Sequence, residues 1–360
     1  KWRRRLWNTC FFKKTKILIL KKMKDISSSK TYSHYPVMLK EVINICDPKN
    51  GGLFIDCTYG AGGYTNKILS YPNTKVIALD RDPNIKRLAE KTKKNYKNRF
   101  FFHNSKFSEL NKILTKDTKA DCIIFDLGLS SLQLFDFKRG FSFNSKEEPD
   151  MRMGLNENSA KDVLNNLDAK TLGNIFKLLG EEKESYRISR NILKERKQNP
   201  IKTIPDLIKI IKKSKSKNFK KKINLSTQVF QALRIFVNKE VTELINGLIN
   251  AAQFLKKGGK IIVITFHSIE DKIVKFFFTN FSLNKSKTSR YYPENNEKKT
   301  LFEIYKNKTI KPNSQEVEEN NPSRSAKLRY VVRSKDNFIY PEDLEKKFFH
   351  YLELEKTYVQ

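Results

Sequence analysis

The segment from Asp56 to Gly63 has the residue types of a nucleotide-binding turn. Asp56 ends a short apolar run, and Gly60, Gly62 and Gly63 follow it in the pattern D-x-x-x-G-x-G-G. Glycines let the backbone approach a ligand closely, and a helix that begins at such a turn offers free N–H donors. A glycine-rich turn can also serve only the geometry of a tight connection, so it needs support from other residues.

Two carboxylates supply that support. Asp80 follows a second apolar run, where a carboxylate can accept hydrogen bonds from both ribose hydroxyls of an adenosine. Asp126 follows another such run and opens the segment Asp-Leu-Gly-Leu-Ser-Ser. An NAD site would place the third glycine of G-x-G-x-x-G at position 65, which is Thr65. The pattern therefore favours S-adenosylmethionine, which has no pyrophosphate to accommodate.

These residues need a framework of alternating strands and helices to bring them together. Short apolar runs, bounded by turn residues and separated by helical stretches, predict an α/β fold with a mostly parallel sheet. The carboxyl ends of such strands are where ligands bind. The predicted strands are Leu53–Asp56, Lys75–Asp80, Arg99–His103, Asp121–Asp126 and Lys260–Phe266, with a closing strand Leu328–Arg333.

The stretch between the fourth and fifth strands is too long for a single crossover. We interpret residues 139–223 as a helical lobe inserted into a core made of residues 31–138 and 224–335. The polar stretch Ser282–Pro322 predicts a mobile excursion, and residues 336–360 a C-terminal tail. The predicted helices are Ser159–Leu167, Ala169–Leu178, Glu182–Glu195, Ile204–Ile211 and, after the basic run Lys212–Lys222, Leu225–Leu255.

The composition favours a polyanionic partner. The chain has 72 Lys and Arg against 39 Asp and Glu, a net charge of +33, and such a basic surface attracts nucleic acid. Compositional drift in an AT-rich genome would also raise the charge, so this alternative stays open.

The cysteines, the apolar runs and the N-terminal segment indicate in which cellular compartment the protein is expected. The four cysteines have no CxxC spacing and predict neither disulfides nor a metal site. The apolar runs are shorter than a membrane span requires, so we expect a cytoplasmic protein without membrane contact. Residues 1–30 are expected to form a non-domain extension. Its basic part, residues 1–22, is either an organelle-targeting segment or upstream sequence before a start at Met23.

Nine segments, in order from about residue 31 to 334, resemble the motifs of the bacterial small-subunit rRNA (cytosine-4-N)-methyltransferase family. They are HYPVM from His34, DCTYGAGGYT from Asp56, ALDRDP from Ala78, DLGLSSLQ from Asp126, RGFSF from Arg139, PDMRM from Pro149, FQALRIFVN from Phe230, FHSIEDKIVK from Phe266 and NPSRSAKLR from Asn321.

The resemblance implies a fold and a reaction. The fold would be a Rossmann-like class I methyltransferase with the inserted helical lobe. The reaction would use S-adenosylmethionine to methylate the exocyclic 4-amino group of a cytidine in the decoding region of small-subunit ribosomal RNA. The substrate would be the RNA or a ribosomal particle, and a homodimer stays open.

The resemblance implies the cofactor contacts, whereas the chemistry of a weakly nucleophilic amine suggests the catalytic group. Asp126 is the first candidate for a hydrogen-bond acceptor on the amine, with Ser130, His267 and Ser268 as contacts at the carboxyl edge of the sheet. A cofactor-only role for Asp126 and a structural role for His267 or His34 remain alternatives. The family usually has His at position 64 and often Pro at 132, so Tyr64 is expected to contact the cofactor through its backbone. The implied cofactor contacts are Gly62, Gly63, Tyr64, Asp80, Phe107, Asp126 and Gln133.

For RNA binding, Phe141 and Phe143 are candidates to receive an unstacked cytosine, with buried packing as the alternative. Phosphate contacts are expected from Arg139, Arg152, Arg324 and Arg329, unless Arg152 pairs with Asp150 or Glu148. Two other functions remain open: a nicotinamide-dependent oxidoreductase, which would share the fold and Asp80, and a non-catalytic RNA-binding protein on a methyltransferase-like scaffold. Cofactor affinity discriminates between them.

Overall fold

A six-stranded sheet forms the centre of the fold. The computed structural model describes residues 36–215, 224–283 and 300–357. The strand order is β3-β2-β1-β4-β5-β6, with β6 antiparallel to β5 and all other pairs parallel. The strands are β1 (Gly52–Asp56), β2 (Thr74–Leu79), β3 (Phe100–His103), β4 (Ala120–Asp126), β5 (Leu255–Thr265) and β6 (Lys327–Val332). The predicted α/β class and all six predicted strands are confirmed.

The sheet changes its direction of winding at β1. The chain runs outward from β1 to β2 and β3, and then β4 returns to the other side of β1, so that Phe54 pairs with both Val76 and Cys122. In an open α/β sheet, the crevice that binds ligands lies at such a switch point, here the carboxyl ends of β1 and β4. Asp56 and Asp126, the last residues of these two strands, lie at the crevice.

Helices cover both faces of the sheet, and the central strand β4 is accordingly buried along most of its length. Alternate residues of β4 enter different cores: Ile123 and Phe125 pack on one face, Cys122 and Ile124 on the other. The first part of the chain contributes α1 (Leu39–Cys46), α2 (Gly63–Leu69), α3 (Lys86–Asn95), α4 (Leu110–Ile113) and α5 (Ser131–Phe135).

The predicted helical stretch between β4 and β5 is confirmed, with one correction. Lys239 has a left-handed φ of 49°, so the predicted helix over Leu225–Leu255 is two helices that meet at this residue. Apolar side chains such as Leu172 and Ile188 join the same core as Ile123; the division at residues 139–223 stays a prediction. The helices are α6 (Ala160–Asn166), α7 (Ala169–Leu178), α8 (Ser185–Arg196), α9 (Ile204–Ser214), α10 (Thr227–Asn238) and α11 (Glu240–Phe254).

The last part of the chain is more ordered than its polar composition predicts. It contains α12 (Ser268–Asn280), α13 (Ser314–Glu319) and α14 (Glu342–Lys356). Leu301 and Phe302 are buried, so the predicted excursion Ser282–Pro322 is anchored to the core at these two residues, and its mobility stays a prediction. Apolar side chains can anchor a chain segment however polar their neighbours are.

The predicted C-terminal tail also packs on the core. Glu355 of α14 accepts hydrogen bonds from the backbone N–H groups of Val241 and Thr242 at the start of α11. Residues 1–35, including His34, and most of the basic run Lys212–Lys222 lie outside the described residues. Within the described part of the chain, no helix has both the length and the apolar character needed to cross a membrane.

Candidate active site

Asp56 fixes the glycine turn to the sheet. Its carboxylate is fully buried and accepts hydrogen bonds from Thr65 Oγ1 at 2.7 Å and Thr58 N at 3.2 Å. Burial raises the pKa of Asp56 to about 6, against the opposing effect of these hydrogen bonds. Asp56 therefore holds the beginning of α2 in register with β1, which is a structural role within the site.

The turn is closely packed and requires two glycines. Gly62 has a φ of +79°, a left-handed conformation that side chains rarely adopt. A Cβ atom on Gly62 would lie 2.6 Å from the hydroxyl oxygen of Tyr59, and one on Gly63 would lie 2.6 Å from Cγ of Pro36. The backbone of the turn is therefore free of side chains at the two positions predicted to face the cofactor.

Asp80 lies beside this turn, at the end of β2. Its Oδ2 accepts a hydrogen bond from Gly60 N at 2.8 Å, and its Oδ1 accepts one from Asp82 N at 2.9 Å. Each carboxylate oxygen can accept a further hydrogen bond, so the two ribose hydroxyls of an adenosine remain possible partners. Burial raises the pKa of Asp80 to about 6.

Asp126 has one carboxylate oxygen that can accept a hydrogen bond from a ligand. Its Oδ1 is buried and has no hydrogen-bond partner among the described residues, while its Oδ2 lies 3.2 Å from the hydroxyl of Tyr64. Burial raises the pKa of Asp126 to about 8, with further raising contributions from Asp56 and Glu270. Buried polar atoms without a partner are rare in proteins, and this one lies at the crevice where a ligand would meet it.

Tyr64 takes part in the site through its side chain, which the sequence did not predict. The ring is buried, and its hydroxyl donates to the carbonyl oxygen of Val37 as well as facing Asp126. Tyr64 is the second residue of α2, which begins at Gly63 close to Pro36. The expectation of a backbone contact does not describe the whole role of Tyr64.

Ser130 and Gln133 hold each other at the start of α5. Ser130 Oγ accepts from Gln133 N, and Gln133 Oε1 accepts from Ser130 N. Gln133 Nε2 donates to Asp82 Oδ2 at 3.0 Å. Both ends of the Gln133 amide are thus bound within the protein, and the Ser130 oxygen serves as a helix cap.

Asp82 is an organising residue that the sequence analysis missed. It is 1% exposed and binds Gln133 and the guanidinium of Arg139 through the same oxygen. Arg139 also donates to the carbonyl oxygens of Arg152 and Met153. The signal available in the sequence was the second acid of ALDRDP, two residues after Asp80, which a local pattern gives no reason to bury.

His267 precedes α12 and lies in a cluster with Glu270, which is buried, and Glu240, which is partly buried. Its Nε2 lies 3.0 Å from Glu270 Oε1, and Glu270 Oε2 accepts from the backbone N–H of Phe266. Ligand atoms of Glu240, His267 and Glu270 lie within 4.8 Å of one another, a spacing that could hold a metal ion. Both oxygens of Glu240 are bound by Arg234 at 2.8 Å, so a guanidinium already balances this cluster.

Phe107 and Ser268, the remaining predicted site residues, both make contacts that hold elements of the fold together. Phe107 packs edge-on against Phe125 at 5.3 Å between ring centroids and fits against Gly247. Ser268 forms a hydrogen bond with Glu181, which helps to lower the pKa of that carboxyl, after the larger effect of Lys272. Phe107 therefore packs between β4 and α11, and Ser268 joins α12 to the loop after α7.

The two phenylalanines expected to receive a cytosine are packed instead. Phe141 is buried beneath the guanidinium of Arg139, and Phe143 lies 4.6 Å from Phe230 between ring centroids. The buried alternative describes Phe141, whereas Phe143 is only partly buried against the core. Exposed aromatic rings near α5 belong to Phe135 and Phe137, the latter 41% exposed.

Three of the four arginines that were expected to bind phosphate form ion pairs with carboxylates of the protein instead. Arg329 is buried and binds Asp271, and Arg139 binds Asp82. Arg152 pairs with Asp150 through two hydrogen bonds, which confirms the alternative for this residue. Arg324 is exposed and contacts Asn321. Only tertiary packing distinguishes an internal arginine from a surface one.

Comparisons with known proteins agree on one family. A family model described as the MraW methylase family matches residues 31–334. Relatives from several bacteria carry the name Ribosomal RNA small subunit methyltransferase H. The protein of Ehrlichia canis is 39% identical over 303 residues, covering 83% of this chain and 99% of the relative. That of Agrobacterium fabrum is 42% identical, with 84% and 87% covered, and that of Rickettsia akari is 40% identical, with 82% and 97% covered.

Solved structures give a weaker comparison. A putative rRNA-methylase from Clostridium thermocellum covers 84% of this chain and is itself 98% covered, with a TM-score of 0.37 and 12% sequence identity. These values are too low to support any argument about function.

Proposed function

Because the chain belongs to the MraW methylase family, we propose that it is an S-adenosylmethionine-dependent enzyme that methylates small-subunit ribosomal RNA. The acceptor is the exocyclic 4-amino group of a cytidine, as the motif resemblance implies. The observation that carries this proposal is the free oxygen of Asp126, a buried acceptor at the carboxyl end of β4 beside the glycine turn.

The residues present fit the cofactor. The glycine turn offers a backbone without side chains at Gly62 and Gly63, and Asp80 supplies two oxygens for ribose hydroxyls. Phe107 supplies an apolar wall for the adenine, and Asp82 holds Gln133 in place nearby. When bound, S-adenosylmethionine supplies an electrophilic methyl group on a positively charged sulfonium.

The chemistry demands positioning from the protein. The cytosine amine is a weak nucleophile because its lone pair is delocalised into the ring, so holding it in line provides most of the rate. An ionised Asp126 accepts a hydrogen bond from the amine and offsets the positive charge that develops on it. Since the pKa of Asp126 is raised to about 8, its ionised fraction, and with it the turnover rate, rises as the pH increases toward that value.

Asp126→Asn tests this role against a cofactor-only role. The substitution keeps the shape of the side chain but removes its charge, so turnover should fall roughly 10²- to 10³-fold while cofactor affinity changes little. Single-turnover methylation, calorimetry with S-adenosylmethionine and mass spectrometry of the RNA nucleosides measure rate, affinity and product. Asp117→Asn, an exposed aspartate before β4, is the control. Near-normal turnover at saturating cofactor, with weakened binding, would refute the catalytic role.

Two further parts of the proposal can be tested: whether the substrate is free RNA or an assembled particle, and whether the enzyme is a homodimer. Purified small-subunit ribosomal RNA and assembled particles, compared as substrates under the same salt conditions, show which of them the enzyme uses. Sedimentation tests the homodimer, and cell fractionation tests the cytoplasmic location. Micromolar binding of a nicotinamide cofactor would favour the oxidoreductase, and RNA binding without S-adenosylmethionine binding would favour the non-catalytic alternative.

A further inference from the structure

The hydroxyl of Tyr64 lies between two acceptors. It contacts the carbonyl oxygen of Val37 on one side and lies 3.2 Å from Asp126 Oδ2 on the other. A hydroxyl donates one proton and can accept another hydrogen bond, whereas a carbonyl oxygen can only accept. When Asp126 is protonated, it can donate to Tyr64, which then donates to Val37. When Asp126 is ionised, Tyr64 can donate to the carboxylate instead.

The position of Val37 is itself fixed from a distant part of the chain. Met38 N donates to Glu316 Oε1 of α13 at 2.6 Å, and Met38 has a left-handed φ of 53°. Glu316 thus contacts the peptide group between Val37 and Met38, whose carbonyl oxygen contacts Tyr64, and Tyr64 in turn contacts Asp126. This series of contacts connects α13, which precedes β6, to the carboxyl end of β4.

The surroundings of Asp126 make this hydroxyl important. The charged groups that face the carboxyl are Asp56 of β1, Glu270 of α12 and Glu316 of α13, all of which oppose its ionisation. Tyr64 of α2 acts in the opposite direction, because its hydrogen bond favours the ionised form. Burial raises the pKa of Tyr64 well above its usual value, so the phenol keeps its proton while Asp126 titrates.

We propose that Tyr64 is a positioning residue whose hydroxyl orients Asp126 and serves both of its protonation states. This inference rests on the proposed function, in which Asp126 accepts from the substrate amine. It assigns to Tyr64 a side-chain role in setting the pH at which the enzyme becomes active. Glu316 supports that role by holding Val37 and adds a negative charge of its own.

The test measures the ionisation of Asp126 in the ligand-free protein, using aspartate labelled with ¹³C at the side-chain carboxyl and NMR titration. The Asp126 signal is the one that disappears in Asp126→Asn. In Tyr64→Phe its pKa should rise by about one unit, as expected for the loss of one hydrogen bond to the charged form. In Glu316→Gln, which keeps an acceptor for Met38 N but removes the charge, the pKa should fall.

Tyr59→Phe is the matched control. Tyr59 is also buried at the glycine turn, but its hydroxyl contacts Thr92 Oγ1 at 2.8 Å, so its loss should leave the pKa of Asp126 nearly unchanged. An unchanged Asp126 pKa in Tyr64→Phe, or an equal rise in Tyr59→Phe, would overturn the inference.

A second measurement uses the unaltered protein and applies even if Tyr64→Phe does not fold. When tyrosine is labelled with ¹³C at the phenol carbon, the chemical shift of one tyrosine should change with pH in a step whose midpoint is the pKa of Asp126. This step should be absent in Asp126→Asn. The absence of such a step would overturn the inference. Because neither titration depends on methyl transfer, a failed inference is distinct from a failed function: loss of the NMR effects refutes the role of Tyr64, whereas absence of methylated cytidine refutes the proposed reaction.

Discussion

Replacement of Asp80 should weaken cofactor binding more than it weakens the fold. Asp80 offers both oxygens to ribose hydroxyls in the proposed complex, and it already holds the backbone N–H groups of Gly60 and Asp82. Loss of such charge-assisted hydrogen bonds costs ~1–3 kcal/mol, which corresponds to roughly 5- to 150-fold in the dissociation constant. Asp80→Ala should reach the upper part of this range, since it also releases Gly60.

The same residue predicts how affinity depends on pH. The pKa of Asp80 is raised from its usual value to about 6 by burial, and the ionised form is the one that accepts from the ribose. Affinity should therefore be constant above that pH and fall as the pH drops through it, becoming about tenfold weaker one unit below. Asp80→Asn, which keeps the shape, should lose most of this pH dependence.

Calorimetric titration with S-adenosylmethionine at several pH values measures both effects, and thermal unfolding of each variant checks that it is folded. Asp117→Ala, on the exposed loop before β4, controls for the loss of one acidic residue. Unchanged affinity in a folded Asp80→Ala protein would remove Asp80 from the cofactor site. If the unaltered protein bound S-adenosylmethionine with the same affinity above and below the pKa of Asp80, the argument from ionisation would be refuted.

Three further predictions concern the surroundings of the site. Gly62→Ala, with a φ of +79° and a Cβ 2.6 Å from the Tyr59 hydroxyl oxygen, should lower the free energy of unfolding by about 1–3 kcal/mol and weaken cofactor binding; an unchanged denaturation midpoint and affinity would contradict this. Glu355→Ala should cost about 1–2 kcal/mol by uncapping α11, whereas exposed Glu353→Ala should cost little in the same denaturation series. Prolonged oxidation with diamide should link Cys46 to Cys122, whose sulfurs lie 3.3 Å apart, rather than to the equally buried Cys57, and a disulfide from either residue to Cys57 in peptide mass spectrometry would count against this geometry.

Much of the fold, and the residues that end its strands, were accessible from the sequence. Apolar runs bounded by turns placed six strands correctly, because a sheet covered on both faces requires continuous apolar segments. The connection between β1 and β2 had to bring Gly62 and Gly63 to the sheet edge, and the ends of β2 and β4 had to bring Asp80 and Asp126 to the same edge. These are consequences of parallel pairing, which local patterns already predict.

The helix break and the ordered C-terminal region were less accessible. Nothing in the composition around Lys239 marks its left-handed conformation, which separates α10 from α11. The burial of Phe302 and the capping of α11 by Glu355 depend on segments that meet only in the folded chain. A polar stretch predicts mobility on average, but a few apolar anchors are enough to order it.

The sequence by itself determined the class of fold, the glycine turn and the carboxylates at the edge of the sheet, because backbone periodicity and strand ends are local properties of the chain. Only the tertiary structure decided what each side chain does there. It placed Tyr64 against Asp126, 62 positions away, and it paired Arg139 with the buried Asp82 instead of leaving the guanidinium in solvent. Burial, pairing and pKa depend on which distant segments come into contact, and a linear pattern carries that information only in part.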